Sequence, residues 1–251
     1  MTKVKLDELE RQDIIEQVEG PTPWVSPSVV IPKDNPVTDV RLCVDMRMAN
    51  KAIMREKHPI PTVTELLCNM NDASVFSKIH FRLGIHQCEL DEQTRSITAF
   101  VTTWGLRRYK RLMFGVSSAP EVYLHAIQKA LAGLEDCQNY ADVIIIHGTD
   151  QAEHDVRLDA FFQSFSQLGL TLNAKKRTFG MQFIDYVGYR ISAKGVEADA
   201  KKVDTIDRAR SPKDVSELRG FIGLAKFVGR FVPHLSMVAE PLLRLLRKDE
   251  F

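Results

Sequence analysis

The chain is poor in cysteine, lacks a long apolar run and carries almost no net charge, and each shortage narrows what it can be. Its four cysteines, Cys43, Cys68, Cys88 and Cys137, show no metal-type spacing and read as buried or incidental thiols in a reducing compartment. No apolar run approaches the roughly 20 residues that a membrane span needs, and the N-terminus MTKVKLDELE is not a signal peptide. The expected location is therefore intracellular, cytoplasmic or nuclear, with no membrane partner. There is no internal repeat and no low-complexity segment.

Net charge is +1, which by itself argues weakly against a nucleic-acid partner. The local distribution says more. Residues 101–130 carry Arg107, Arg108, Lys110, Arg111 and Lys129 against Glu121, whereas residues 135–170 carry seven carboxylates against Arg157. A basic strip beside an acidic block suits a phosphate track next to a metal-facing surface; two solvated faces of opposite sign are the plainer reading.

Apolar spacing predicts an amphipathic helix over 5–18, with Leu6, Leu9, Ile14, Ile15 and Val18 on it. The proline-rich stretch GPTPWVSPSVVIPKDNP suits an extended edge segment, and 28–32 should pair antiparallel with 40–44. HPIPTVTELLCNM leads from a proline-rich link into a helix, with Thr62 and Glu65 at capping-box spacing. Strands are expected at 75–81, 86–90, 97–101 and 139–147, the last containing the apolar run Val143–Ile146. Ser118-Ala-Pro-Glu121 reads as a second capping box opening a helix over 119–133. Asp150 and Glu153 should cap a helix whose Leu158, Phe161, Phe162, Phe165 and Leu168 form a core stripe, ended by Gly169. Strands near 181–192 precede helices from about 196, one bearing Val215, Leu218, Ile222 and Ala225 on one face, with a boundary near Gly195.

The blocks RLCVDMRMANKAI, HPIPTV, FSKIHFRLGIHQCELDEQTRSITAF, YKRLMFGVSSAP, NYADVIIIHG, LTLNAKK, YVGYRISAKGV and ELRGFIGLAKFVGRFVPHLSMVAEPL occur in an order that resembles gypsy-type LTR-retrotransposon reverse transcriptases over nearly the whole chain. The resemblance implies an α+β, right-hand polymerase fold. Fingers would come from 1–75 and 92–115, a palm with an antiparallel sheet from 76–91 and 116–194, and a helical thumb from 195–251. It also implies a parent activity of RNA- and DNA-templated DNA synthesis, with Mg²⁺ as cofactor and an RNA/DNA template–primer as partner. With neither protease segment nor RNase H or integrase domains, a fingers–palm–thumb piece is expected, from a polyprotein or a stand-alone reading frame.

Family chemistry places two Mg²⁺ ions on three aspartates, and the matching positions here are His80, Asp142 and Val143. Only Asp142 survives as a metal ligand. An imidazole suits zinc or copper better than magnesium, and valine offers no donor. Asp45, Glu89 and Asp91 match family positions not assigned to metal. Ile85 replaces the aromatic that packs against the incoming sugar. The expectation is a domain unable to polymerise that retains template–primer binding; a residually active enzyme, a decayed copy, an interaction module and a structural subunit are the alternatives.

Other family positions persist. Arg41 matches the fingers arginine that contacts the incoming triphosphate, with Lys33 and Arg47 in the same segment; ion pairing with Asp39 or Asp45 is the competing reading. Phe114-Gly115 match the block beside the nascent base pair. Val187-Gly188-Tyr189 resemble the hairpin that supports the primer end, or form a plain hairpin. Arg107 and Arg111 are the expected nucleic-acid contacts of the basic strip, and Lys201, Lys202, Arg208, Arg210, Arg219, Lys226 and Arg230 those of the thumb, where interspersed carboxylates equally suit a solvated face.

Overall fold

The computed structural model describes residues 1–33, 39–55 and 62–246. Residues 58–61 of the HPIPTV block, 34–36 of the proline-rich stretch and 247–251 of the expected thumb lie outside the described residues. In chain order, α1 (Thr2–Arg11) precedes β1 (Ile15–Gln17), β2 (Ser28–Pro32) and β3 (Val40–Val44). Next come α2 (Val63–Cys68), β4 (Val75–His80), a 3-10 turn (Gly84–Gln87), α3 (Glu92–Arg95), β5 (Phe100–Thr102) and β6 (Gly105–Tyr109). They are followed by α4 (Ala119–Leu131), the hairpin β7 (Cys137–Tyr140) and β8 (Val143–Gly148), and α5 (Gln151–Gln167). Four short strands, β9 (Thr178–Met181), β10 (Phe183–Tyr186), β11 (Tyr189–Ser192) and β12 (Gly195–Ala198), lead into the helices α6 (Ala200–Asp207) and α7 (Val215–Val228).

Two compact units result. One contains residues 1–61, 78–145 and 157–177; the other contains 62–77, 146–156 and 178–251. In the first, β6 lies between β1 and β5, and β2 pairs with β3. Its core gathers Leu6, Leu9, Ile14 and Ile15 against Met46, Phe100, Tyr109 and Met113. In the second, β11 lies between β10 and β12, and α7 buries Leu218 and Ile222 on the predicted face.

The β2–β3 ladder has the expected partners, Ser28 opposite Val44 and Pro32 opposite Val40. Thr62 and Glu65 form the reciprocal capping box, and Asp150 accepts from the Glu153 amide at 2.9 Å. Gly169 adopts the left-handed backbone (φ +66) that a helix-ending glycine permits. Ile144, Ile145 and Ile146 are fully buried.

Other expectations change. The predicted helix over 5–18 stops at Arg11: Asp13 turns left-handed (φ 56), and Ile15–Gln17 pair with Arg107–Tyr109 instead. No strand forms at 86–90, where the backbone curls into the 3-10 turn and keeps only the isolated bridge Glu89–Arg111. A second 3-10 turn takes Ser96–Thr98, so the strand expected at 97–101 starts at Phe100. The strand expected over 139–147 is broken at Ala141 (φ 55) into the β7–β8 hairpin. Ser118 makes no side-chain cap, because its backbone is right-handed (φ −93, ψ −2) rather than extended, and the buried Glu121 carboxylate is bonded to Arg55 (Nε–Oε1 2.7 Å). On α5, Phe161 and Phe165 are buried, whereas Phe162 and Leu168 face solvent. Gly195 lies at the start of β12, so the helical region begins only after Asp199. The four thiols are free, Cys68 exposed and the others half-buried; burial pushes Cys137 up to about 12.

One buried polar chain ties the second unit together. Gly180 N donates to Ser77 Oγ (3.2 Å), Ser77 Oγ lies 2.8 Å from His154 Nε2, and His154 Nδ1 lies 2.9 Å from Asp155 Oδ1. With Nδ1–H on the carboxylate, Nε2 accepts the Ser77 hydroxyl, and every member is satisfied by a neutral ring. The order serine–histidine–aspartate is that of a nucleophile relay, but Ser77 is completely buried, so the chain is structural. His154→Leu, which strands the Ser77 hydroxyl, should cost about 2 kcal/mol in urea denaturation. Adding Ser77→Ala should cost less than the sum of the single changes; full additivity would show that the bond contributes nothing.

Candidate active site and phosphate-facing cavity

Position 80 closes β4, position 143 opens β8, and position 142 lies in the turn just before it. Phe81 N donates to Asp142 O (3.1 Å), and Asn173 N donates to His80 O (2.8 Å), so backbone bonds hold both strand ends. Asn139 Nδ2 braces the turn by donating to Ala141 O (3.1 Å) and Val143 O (3.3 Å). Ala141 keeps a left-handed backbone there, which costs a non-glycine residue about 1 kcal/mol.

This turn presents Asp142 to solvent with its side chain 63% exposed. His80 Nδ1 is 3.7 Å from Asp142 Oδ2, beyond hydrogen-bond length, and is a buried atom without a hydrogen-bond partner. Val143 is half-buried and has no donor atom to offer. Among the described residues, no group of three or more His, Cys, Asp and Glu side chains is placed to hold a metal ion. Magnesium demands oxygen ligands in near-octahedral array, and one carboxylate beside an imidazole does not fit a pair of such ions. The carboxylates nearby in sequence are engaged elsewhere: Asp45 forks onto Arg47, Asp91 caps α3, and Glu89 meets Arg95 at 3.2 Å. The Arg47 guanidinium holds the Asp45 carboxyl down at about 2.

A cavity of about 730 Å³ opens in the same unit, and Lys33, Arg41, Phe114 and Gly115 all line it. Lys5, Arg82 and His86 join them, with Glu8, paired to Lys5 at 2.8 Å, the sole acidic residue among the described lining residues. Lys33 pairs with Asp39, and Asp45 with Arg47, so neither expected carboxylate holds Arg41. Arg41 and Arg82 have no ion pair among the described residues. Gly115 is left-handed (φ +97), and a Cβ there would meet Met46 Cγ at 3.4 Å and Val44 O at 3.5 Å. Asn50 fixes this loop, donating to Gly115 O and accepting from Ser117 N, both at 2.8 Å. Gln87 holds the Arg82 segment, donating to Arg82 O (2.7 Å) and Thr171 O (2.9 Å) and accepting from Thr171 N (2.8 Å).

The other expected residues lie elsewhere. Arg47 lines a separate cleft with Lys51 and Met48, and Ile85 is half-buried in the 3-10 turn outside the cavity lining. The basic strip is largely neutralised by carboxylates from the N-terminal segment. Buried Arg107 is bonded to Glu10, Arg108 to Glu16 (2.6 Å) and Glu92, Lys110 to Asp13, and Arg111 reaches Asp13 at 3.6 Å. Arg82 and His86 carry no sequence signal of their own beyond their place in the RLGIHQ block that forms this turn.

Val187, Gly188 and Tyr189 form the tight link between β10 and β11 in the second unit, Val187 at φ 50 and Gly188 at φ 82. Tyr189 stacks on Phe227 (5.0 Å, 15°); Lys202 Nζ lies 3.2 Å over the Phe227 ring, and Arg230 lies 5.0 Å over Tyr189. A Cβ on Gly188 would meet Lys202 Nζ at 2.6 Å and Phe227 Cζ at 2.7 Å, so this packing requires glycine. Two of the expected thumb cations thus lie on rings, and Arg208 pairs with Asp204.

A family profile described as reverse transcriptase (RNA-dependent DNA polymerase) matches residues 31–191. The retrovirus-related Pol polyprotein from transposon 412 of Drosophila melanogaster is 31% identical over 89% of this chain, which spans 19% of the polyprotein. That from transposon gypsy of the same organism is 26% identical over 91% of the chain and 23% of its own length. The chain thus spans about a fifth of the curated relatives it matches. Among solved structures, the foamy viral protease-reverse transcriptase in complex with double-stranded DNA is 22% identical, with a TM-score of 0.87, over 98% of this chain and 43% of its own. The same protein in complex with an RNA/DNA hybrid matches at a TM-score of 0.83 and 22% identity, over 100% of this chain and 34% of its own. The fold is the α+β, right-hand polymerase fold of reverse transcriptases. No helix among the described residues is long and apolar enough to cross a membrane.

Proposed function

Because the chain belongs to the reverse transcriptase (RNA-dependent DNA polymerase) family, we propose that it is a polymerase domain that binds the phosphates of a nucleotide without performing metal-dependent DNA synthesis. The observation that carries this reading is the donor set at the strand ends, where one exposed carboxylate faces an unpartnered imidazole 3.7 Å away and a valine. In the family's reaction two metal ions activate the primer hydroxyl and neutralise the leaving pyrophosphate. His80, Asp142 and Val143 supply too few oxygen ligands to hold them.

The cavity is a different matter. Of its lining cations, Lys5 pairs with Glu8 and Lys33 with Asp39, which leaves Arg41 and Arg82 without an ion pair among the described residues, a cation surplus that suits a polyphosphate. Gly115 lets the backbone approach closely beside it. Template–primer contact is assigned to Lys201, Arg210, Arg219 and Lys226, none of which has an ion pair among the described residues. The foamy viral complexes with double-stranded DNA and with an RNA/DNA hybrid support that class of partner.

The test pairs two measurements on one preparation: calorimetric binding of inorganic triphosphate, and primer extension with Mg²⁺ or Mn²⁺. Binding without extension is expected. Extension, or a protein that ignores triphosphate at low salt, would refute one or the other half of the reading.

A further inference from the structure

We propose that His86 is a recognition residue of the cation-lined cavity, where its Nε2 accepts a hydrogen bond from a hydroxyl or amino group on the organic part of a phosphate-bearing ligand. This rests on the reading of the cavity as a nucleotide-phosphate site and names how the rest of the ligand is held.

The tautomer follows from the geometry. His86 Nδ1 lies 2.8 Å from Leu112 O. A carbonyl oxygen only accepts, so Nδ1 carries the hydrogen and Nε2 the lone pair. Nε2 has no hydrogen-bond partner among the described residues, and it is not among the sealed polar atoms. The ring lines the 730 Å³ cavity and also an adjoining one of about 430 Å³ that shares Arg82 and Leu83 with it.

Orientation is fixed on two further sides. Tyr109 stacks on the imidazole (5.9 Å, 18°), and Phe114 meets it edge-on (5.6 Å, 87°). Burial pushes the ring's pKa below its ordinary value, partly opposed by the hydrogen bond to Leu112 O; the charged groups lining the two cavities are Lys5, Lys33, Arg41, Arg82, Arg111 and Glu8. A neutral acceptor is therefore held where the principal charged groups are donors. Lysine and arginine suit the phosphates of a ligand but offer no acceptor to the O–H of a sugar or the N–H of a base. His86 supplies that acceptor, and Phe114, 66% exposed, supplies an apolar surface beside it.

Metal-free calorimetry with inorganic triphosphate, ATP, 2′,3′-dideoxy-ATP and the triphosphate of amino-free purine riboside tests this. The unmodified protein should bind ATP about fivefold more tightly than inorganic triphosphate, the effect of one net hydrogen bond. His86→Phe keeps the stacked ring and should erase that margin while leaving inorganic triphosphate within about twofold. Loss of the margin with the dideoxy compound assigns the contact to the sugar; loss with the amino-free purine assigns it to the base. If His86→Phe does not fold, the Nε2 nitrogen resonance of the unmodified protein should move with ATP and stay with inorganic triphosphate. An unmoved resonance, or a margin that survives His86→Phe, overturns the assignment while leaving the phosphate cavity intact. Failure of inorganic triphosphate to bind removes both.

Discussion

Replacing His80 and Val143 together by aspartate should bring back template-directed DNA synthesis, whereas either change alone should give almost none. The strand ends are already in place: His80 reaches to within 3.7 Å of the Asp142 carboxylate, so an aspartate at 80 would put its oxygens beside it. His80→Asp alone leaves valine at 143, and Val143→Asp alone leaves an imidazole facing the metals. Both ions must be held before in-line transfer can occur, so the double change should exceed either single one by on the order of a hundredfold in primer extension. Adding Ile85→Tyr should improve nucleotide use. The same double change should lower stability without metal by roughly 1–3 kcal/mol, because clustered carboxylates repel and one enters a half-buried position. Added Mg²⁺ should recover part of that in a thermal melt. A folded, triphosphate-binding double variant that remains silent would mean that the loss of function extends beyond these positions.

Arg41→Ala with Arg82→Ala should weaken inorganic triphosphate binding by at least about tenfold at low salt, since each removes a charge-assisted contact of about 1.5–3 kcal/mol. Neither side chain has an ion pair among the described residues, so the melting temperature should stay nearly unchanged. Arg107→Ala should behave in the opposite way. Its guanidinium is buried on Glu10, and its removal leaves a half-buried carboxylate unpaired, which destabilises the fold without acting on the ligand directly. Equal binding losses for Arg107 and for the Arg41–Arg82 pair, at unchanged stability, would move the phosphate site from the cavity to the basic strip.

Sequence reading succeeds where the signal is local. Arg41 enters through the family resemblance alone, whereas the register of β2 and β3 follows from their own short apolar runs. The cap at Thr62, the stop at Gly169 and the buried run Ile144–Ile146 were legible for the same reason. Arg107 was misleading because its partner Glu10 lies about a hundred residues away, and no local pattern shows that the N-terminal segment folds back to pair with β6. The same pairing explains the lost second half of the predicted N-terminal helix: Ile14 and Ile15 fit its apolar face, yet the ladder to Tyr109 and Arg108 wins. The break at Ala141 is a non-glycine left-handed residue held by Asn139, a tertiary constraint without a sequence signal. At the site, family resemblance pointed to positions 80, 142 and 143 and to four residues that line the cavity, while Arg82 and His86 emerge only from the packing of the 3-10 turn.

Whether the site at positions 80, 142 and 143 supports synthesis is tested most directly by primer extension with the unmodified protein beside Asp142→Asn, each with Mg²⁺ and with Mn²⁺, in preparations shown to bind triphosphate. The donor set at 80, 142 and 143 predicts no extension product above the Asp142→Asn background in either metal. Templated extension by the unmodified protein that Asp142→Asn abolishes would contradict it.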